Sequence, residues 1–241
     1  MTVDPARKAE PLRSFGRRKG RPLSPKQAAL MAELLPRLQL DLSSPPPAVL
    51  TELFNDTDGG PLARPVTQVA LEIGFGGSEH LIAQARKNPD TGFVGCEPFE
   101  DGVAKAVTAI DEHNLRNVRL WPDDARKIFD WAPAQSFSAA YILFPDPWPK
   151  ARHLKRRLIN ADFLVDLSKK LQPGAPLRVA TDIGDYLRTT LISVHQSECF
   201  EWRASRPTDW RTRPDDWPPT RYEAKALREG RRCYYLTFHR R

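Results

Sequence analysis

The stretch that decides the fold is Leu71-Glu72-Ile73-Gly74-Phe75-Gly76-Gly77-Ser78-Glu79-His80. It continues an apolar run, Val66–Ile73, in which Val69, Leu71 and Ile73 alternate as on one face of a buried strand. A helical pattern follows the glycines. A glycine-rich turn between a strand and a helix brings the backbone close to a ligand and directs amide N–H groups at it. The stretch therefore predicts a site for a nucleotide-like cofactor.

The alternation of short apolar runs and helical patterns continues downstream. Strands joined by helices form parallel sheets with right-handed crossovers, so the pattern predicts an α/β, Rossmann-like fold. We expect a central, mostly parallel sheet, flanked by helices, with an antiparallel last strand. The predicted strands are Val66–Ile73, Gly92–Cys96, Val118–Trp121, Ala139–Leu143, Ala175–Ala180, Phe200–Arg203 and Cys233–His239. The predicted helices are Lys26–Leu40, Ser78–Lys87, Phe99–His113, Ala161–Leu171 and Tyr186–Ser197.

Acidic residues stand at or just after the ends of four consecutive predicted strands: Glu72, Glu97, Asp124 and Asp146. Each acid alone could cap a helix, but together they meet at the sheet edge where ligands bind. The chain lacks the third glycine of a dinucleotide-binding turn, and an acid directly before the glycines would repel a pyrophosphate. S-adenosylmethionine carries an ammonium group and a sulfonium but no phosphate. We therefore predict S-adenosylmethionine as the cofactor.

A second stretch, Phe144-Pro145-Asp146-Pro147-Trp148-Pro149-Lys150, follows the predicted strand Ala139–Leu143. Its three prolines forbid a continuing ladder or helix, so the chain turns outward where the strand ends. Asp146 and Trp148 then stand directly before a dense run of cations. Two interpretations stay open. The stretch is either a rigid turn into a solvated basic segment or a site where a carboxylate and an aromatic ring meet an anionic partner.

The 241 residues include 37 Lys and Arg against 30 Asp and Glu, a net charge of +7. This balance suggests an anionic partner, although it determines solubility and nonspecific attraction rather than function. The three cysteines show no metal-ligand spacing, and no apolar run is long enough for a membrane span or a signal peptide. We expect a soluble, cytoplasmic protein with a basic disordered arm over residues 1–22 and a single domain over residues 23–241.

Five motifs occur in order between Val66 and Phe238: Leu71-Glu72-Ile73-Gly74-Phe75-Gly76, Gly95-Cys96-Glu97-Pro98-Phe99, Phe144-Pro145-Asp146-Pro147-Trp148-Pro149-Lys150, Arg152-His153-Leu154-Lys155-Arg156-Arg157 and Thr220-Arg221-Tyr222-Glu223. Together they resemble the bacterial tRNA (guanine-N7-)-methyltransferase family, often called TrmB. The Asp-Pro-Trp segment with its basic tail and the Thr-Arg-Tyr-Glu segment carry the resemblance, whereas the glycine turn is generic to class I methyltransferases. One departure is Ser78, where the family more often has glycine.

The resemblance implies a class I methyltransferase fold and transfer of a methyl group from S-adenosylmethionine to N7 of a guanine in the variable loop of tRNA. It implies that Asp146 is the catalytic carboxylate. We expect Asp146 to accept hydrogen bonds from the guanine or to orient it, with Trp148 beside the base, because N7 has no proton to lose. The implied cofactor-binding residues are Glu72, Gly74, Gly76, Glu97, Asp124 and Asp146.

The resemblance also implies contacts with tRNA and a protein that is a monomer or a homodimer, with no metal and no membrane. Basic residues would hold RNA phosphates and so provide affinity and salt dependence rather than sequence choice. The implied substrate-binding residues are Lys150, Arg152, His153, Leu154, Lys155, Arg156, Arg157, Asp182, Thr220, Arg221, Tyr222 and Glu223.

Two other functions stay open. Methyltransferases that act on exocyclic amino groups of nucleic acids carry a related Asp/Asn-Pro-Pro-aromatic turn, but here only one proline separates Asp146 from Trp148. A noncatalytic RNA-binding protein on a methyltransferase fold is the third possibility. The complete set of glycines and strand-end acids argues against it.

Overall fold

The computed structural model of the protein describes residues 15, 16, 18–55 and 64–241. Within them, helices pack on both faces of one sheet. The strands are β1 (Gln68–Ile73), β2 (Thr91–Cys96), β3 (Val118–Trp121), β4 (Ala139–Leu143), β5 (Pro176–Thr181), β6 (Phe200–Trp202) and β7 (Tyr234–Arg240). The helices are α1 (Pro25–Glu33), α2 (Leu35–Leu38), α3 (Glu79–Lys87), α4 (Glu100–Glu112), α5 (Arg126–Trp131), α6 (Ala161–Lys170), α7 (Gly184–Ser197), α8 (Thr208–Arg211) and α9 (Arg221–Arg228), with 3₁₀ helices at Leu50–Phe54 and Ala151–Arg156.

The seven strands lie in the order β3-β2-β1-β4-β5-β7-β6. The pairs from β3 to β5 are parallel, and β7 runs antiparallel to both β5 and β6. This topology confirms the predicted Rossmann-like fold with its antiparallel last strand. The strand order reverses between β1 and β4, and such a switch point opens a crevice at the carboxyl ends of the strands.

The core has two layers because side chains alternate across the sheet. Val69, Leu71 and Ile73 face one layer, together with α5, α6 and α7 side chains. Ala70 and Tyr141 face the other layer, which α3 and α4 cover. Glu72 shares the parity of Ala70, so its side chain points toward α3.

The structure differs from the sequence-based predictions in several helices. The helix expected over Lys26–Leu40 is divided into α1 and α2, because Pro36 in the first turn of α2 has no N–H to continue the ladder. Helices α5, α8 and α9 were not predicted from the sequence. Helix α9 begins after Thr220, whose side chain accepts a hydrogen bond from the Glu223 backbone N–H at 3.2 Å.

The predicted disordered arm falls mostly outside the described residues, since residues 1–14 and 17 belong to neither described range. Disorder over residues 1–22 therefore stays a prediction. The described part of the arm contacts residues at the carboxyl ends of the strands: Arg18 pairs with Asp123, and its carbonyl accepts the Glu100 N–H. No helix of the described residues is long and apolar enough to cross a membrane.

Candidate active site

A cleft of about 1210 Å³ opens at the carboxyl ends of the first four strands. Gly74 after β1, Glu97 after β2, Asp124 after β3 and Asp146 after β4 all line it. The topology thus brings together three of the four predicted acids. The cleft lies at the switch point between β1 and β4, which is the usual ligand position in this fold.

The glycine turn between β1 and α3 needs small residues for two physical reasons. Gly74 and Gly76 have φ of +75° and +54°, a region that side chains disfavour. In addition, a Cβ on Gly76 would lie 2.9 Å from the Tyr222 ring, because α9 places that ring against the turn. Ser78 holds φ +67° without a glycine's freedom, and its side chain makes no capping hydrogen bond.

Glu97 is held at the cleft by two backbone donors. Its carboxylate accepts the Gly76 N–H at 2.8 Å and the Phe99 N–H at 2.9 Å. Burial nevertheless raises the pKa of Glu97 above its usual value, against the effect of these donors. The carboxylate therefore ties the glycine turn to the end of β2 while it lines the cleft.

Asp124 also lines the cleft, and Arg126 fixes the position of its carboxylate. The Asp124 carboxylate accepts the Arg126 backbone N–H at 2.9 Å and its guanidinium Nη2 at 2.6 Å. Burial alone would raise the pKa of Asp124, but the Arg126 hydrogen bonds hold it below the usual value. Asp124 is therefore an anionic wall of the cleft.

Asp146 lies on a turn with unusual backbone geometry. Phe144 and Trp148 adopt φ of +51° and +42°, which is costly for aromatic residues and which typically marks functional turns. No donor or cation of the described residues bonds to the Asp146 carboxylate, which keeps one side open to solvent. Partial burial raises the pKa of Asp146. A carboxylate that no described residue pairs with is available to a ligand in the cleft.

Arg157 anchors this turn to α7. Its Nε donates to the Pro147 carbonyl at 2.9 Å, and its Nη2 pairs with Asp185 at 2.5 Å. The guanidinium also lies over the Tyr186 ring and donates to Thr189. Arg157 is only 3% exposed. The charge and the donors of Arg157 are thus already used inside the protein, which argues against the predicted contact with RNA phosphates.

The rest of the basic segment faces outward from the 3₁₀ helix Ala151–Arg156. Lys150, Arg152 and Lys155 are exposed. The His153 ring meets the Trp148 ring edge-on at 5.8 Å. Its pKa is lowered by partial desolvation and by the neighbouring cations. This segment, with exposed Leu154, gives the cleft one basic rim.

Arg156 differs from its neighbours because it lies between two aromatic rings. Its guanidinium is 5.0 Å from the Trp148 centroid and 4.9 Å from that of Phe15. Phe15 and Gly16 also line the cleft, and Arg18 pairs with Asp123 at 2.7 Å. Sequence reasoning missed these members of the site because nothing local in a basic arm indicates which surface it contacts.

Glu72 is separated from the other acids. It is 2% exposed and does not line the cleft, and its Oε2 lies 2.7 Å from Nδ1 of His80 on α3. Cofactor binding by Glu72 therefore stays a prediction, because its carboxylate does not line the cleft directly. Sequence reasoning missed His80, although its spacing of eight residues across a tight turn was the available signal.

The Thr-Arg-Tyr-Glu segment reaches the site through one residue. Tyr222 lines the cleft, whereas Arg221 pairs with Glu79 at 3.5 Å. Thr220 caps α9, and Glu223 is 4% exposed and bonded to Arg213 and Tyr235. Glu223 and Thr220 are therefore structural in this geometry rather than open to a substrate.

Asp182 lies outside the cleft lining. Its carboxylate pairs with Arg231 Nε at 2.7 Å. The described parts of the chain hold no group of three His, Cys, Asp or Glu side chains that could bind a metal ion.

Comparison with known proteins decides the family. A family model described as "Putative methyltransferase" matches residues 66–236. The tRNA (guanine-N(7)-)-methyltransferase of Rhizobium meliloti strain 1021 is 48% identical over 226 residues, which cover 94% of each chain. That of Rhodospirillum rubrum is 47% identical over 237 residues, 98% of this chain and 91% of the relative. This chain belongs to the tRNA (guanine-N(7)-)-methyltransferase family.

Solved structures support the fold of this tRNA (guanine-N(7)-)-methyltransferase family member. The 16S rRNA methyltransferase KamB superposes with a TM-score of 0.58 over 82% of this chain and 95% of its own. Its sequence identity is 15%, so the likeness shows the class I methyltransferase fold alone. The family resemblance that the five motifs carried is confirmed by the close relatives.

Proposed function

We propose that this protein transfers a methyl group to N7 of a guanine in the variable loop of tRNA. The observation that carries the proposal is the Asp146 carboxylate, which no described residue pairs with, which shares one cleft with Glu97 and Asp124, and which directly precedes an exposed basic segment. The family to which the chain belongs supports the same reaction. A tRNA-modifying role also favours the cytoplasm as its location.

The cleft suits S-adenosylmethionine as the methyl donor. Acidic side chains on its walls disfavour pyrophosphate and favour cations. The Glu97 carboxylate is suited to accept hydrogen bonds from the ribose hydroxyls of the cofactor. The positive φ of Gly74 and Gly76 lets the backbone approach a ligand closely. When bound, S-adenosylmethionine supplies an activated methyl group on its sulfonium.

Asp146 and Trp148 position the base. Guanine N7 has a free lone pair, so its attack needs alignment and exclusion of water rather than a strong base. The Asp146 carboxylate accepts hydrogen bonds from the N–H groups of guanine, which orients N7 toward the cofactor site. Trp148 provides a flat apolar surface beside the base. A guanine stacked inside an RNA helix cannot reach this cleft, so the target base leaves its stack.

The outer cations hold the RNA. Lys150, Arg152 and Lys155 are exposed and bind no carboxylate of the described chain. They are suited to phosphate contacts, which give affinity without sequence choice. Arg156 keeps Trp148 in place by lying over its ring.

The first experiment is transfer of labelled methyl groups from S-adenosylmethionine to unmodified bulk tRNA, followed by digestion to nucleosides. We expect 7-methylguanosine as the labelled product. We expect Asp146→Ala and Asp146→Asn to lower kcat by about a hundredfold or more, since misplacement of a reacting group by about 1 Å costs that much. The matched control is Glu112→Gln, which removes an exposed carboxylate outside the cleft.

A second substrate separates N7 from the amino group. Transcribed tRNA with 7-deazaguanine at the target position has no N7 lone pair but keeps the exocyclic amine. We expect incorporation into this RNA to vanish. Undiminished incorporation would instead favour an amino-group methyltransferase. A protein that shows no measurable cofactor binding by calorimetry would favour a noncatalytic RNA-binding protein.

A further inference from the structure

A buried polar cluster lies on the α3 side of β1, beneath the glycine turn. Glu72 and His80 are each 2% exposed, and Gln84 is 5% exposed. None of the three lines the cleft. Glu72 nevertheless directly precedes Ile73 and Gly74, which do.

The imidazole of His80 is fixed by contacts on three sides. Its Nδ1 lies 2.7 Å from Glu72 Oε2, and its Nε2 lies 3.4 Å from Gln84 Nε2. The Tyr141 ring packs against it with 4.7 Å between the ring centroids. The ring therefore has one orientation, which also fixes the Glu72 carboxylate.

The orientation of the Gln84 amide determines which nitrogen of His80 carries the proton. Gln84 Nε2 donates to the Asp216 carbonyl at 2.7 Å, and Gln84 Oε1 accepts from Asn88 at 3.0 Å. The group that faces His80 Nε2 is thus an NH₂, which can only donate. This arrangement matches a His80 ring that accepts at Nε2 and donates from Nδ1–H to Glu72.

A neutral partner leaves the charge of Glu72 intact. A lysine or arginine in place of His80 would cancel that charge, whereas the imidazole N–H orients the carboxylate and leaves one full negative charge near the glycine turn. An uncompensated buried charge is unfavourable by itself, so it is of use only if a cation arrives. The cleft begins at the two residues that follow Glu72 in the chain, since Ile73 and Gly74 line it.

We propose that His80 is a positioning residue for the cofactor, which holds the Glu72 carboxylate in place and charged for the ammonium group of S-adenosylmethionine. The inference rests on the proposed function, since it needs a cofactor with an amino-acid end. Glu72 attracts the amino-acid end of the cofactor from beneath the turn, where the low dielectric of the protein interior strengthens the interaction. Gln84 contacts His80 and is itself held by the carbonyl of Asp216, in the segment that precedes α9.

Two ligands without tRNA test this role: S-adenosylhomocysteine, which has the ammonium group, and 5′-methylthioadenosine, which lacks the amino-acid end. Calorimetry gives Kd for both. We expect His80→Leu to weaken S-adenosylhomocysteine about tenfold, the value of one charge-assisted hydrogen bond, and to leave methylthioadenosine within about twofold. His80→Asn carries an amide donor near the Nδ1 position and should restore most of the difference.

A double variant tests whether His80 acts through Glu72. Glu72→Gln should weaken S-adenosylhomocysteine selectively, and Glu72→Gln/His80→Leu should weaken it no further. If His80→Leu weakens both ligands equally, its role is structural and the proposal fails. If Glu72→Gln spares S-adenosylhomocysteine, the proposal fails while the methyltransferase function stands.

The function and the positioning role fail separately. If the natural protein binds neither ligand, the proposed function falls with the inference. If His80→Leu does not fold, His80→Gln replaces it, because its amide reaches the Nε2 position and leaves Glu72 without a donor. A selective loss of affinity for S-adenosylhomocysteine in that variant supports the proposal. A Kd equal to that of the natural protein overturns it.

Discussion

Ser78 holds a backbone conformation that favours glycine, with φ +67° and ψ 6°. A non-glycine residue in this region costs roughly 1–2 kcal/mol. Ser78→Gly removes that cost but adds freedom to the unfolded chain, worth about 0.4–1 kcal/mol in the opposite direction. We expect a net gain of about 0.5–1 kcal/mol in the free energy of unfolding, or about 1–4 °C in Tm for a chain of this size. Thermal and urea unfolding measure it.

The control places a serine at a glycine that has similar backbone geometry. Gly230 has φ +72° at the end of α9, and no atom lies within 4 Å of where its Cβ would be. Gly230→Ser therefore introduces the same backbone cost without a clash and should lower stability by about 1 kcal/mol. A lower Tm for Ser78→Gly would mean that the buried serine side chain contributes more than the backbone conformation costs.

The sequence predicted where the acidic residues of the site lie better than it predicted which residues they bond to. Glu97, Asp124 and Asp146 meet in one cleft as expected, because the carboxyl ends of parallel strands share an edge of the sheet. The partner of Glu72 was not predicted, since whether a carboxylate faces a cleft or a helix depends on side-chain parity and on packing across the turn. The pairing of Arg157 with Asp185, 28 residues away, carries no local signal at all.

At the scale of elements, the turn after β4 depends on an anchor rather than on its prolines alone. Arg157 bonds to the Pro147 carbonyl and to Asp185 on α7. Arg157→Met should lower the free energy of unfolding by roughly 2–3 kcal/mol, because a buried guanidinium loses several charge-assisted bonds. It should lower kcat at least about tenfold, because Asp146 shifts with the turn. Urea unfolding and single-turnover methylation measure the two effects.

Arg152 provides the matched comparison. It lies in the same basic segment but is exposed. Arg152→Met should leave the unfolding free energy within about 0.5 kcal/mol and weaken tRNA binding instead. If both variants change only tRNA affinity, Arg157 is not an anchor and its buried contacts do not hold the turn.

Local sequence patterns explain which elements were predicted and which were missed. The strands were found because short apolar runs ended at glycine, proline or acidic residues. Helix α9 was missed although Thr220-x-x-Glu223 is the signature of a helix start, because the surrounding segment is rich in Pro and Arg. Helices α5 and α8 are too short, at 6 and 4 residues, for any periodicity to mark them.

At the scale of the whole molecule, the net charge of +7 is less informative than its distribution. Several surface cations pair with carboxylates of the chain itself: Lys26 pairs with Glu112, Lys105 with Asp101 and Arg203 with Glu201. Cations of this kind release few counterions from RNA because a carboxylate already compensates them. Affinity for tRNA should therefore depend on the exposed cations at the rim of the cleft.

Two triple variants with the same change in net charge separate local from global charge. Lys150→Gln/Arg152→Gln/Lys155→Gln removes the basic rim, whereas Lys26→Gln/Lys105→Gln/Arg203→Gln removes ion-paired cations elsewhere. Each phosphate contact contributes about 0.7–0.9 to the slope of log K against log salt concentration, so the rim variant should reduce the slope for tRNA binding by about 2–3. The other variant should change it by less than about 1. Filter binding over a salt series measures both slopes, and equal reductions would mean that net charge, not the rim, attracts the RNA.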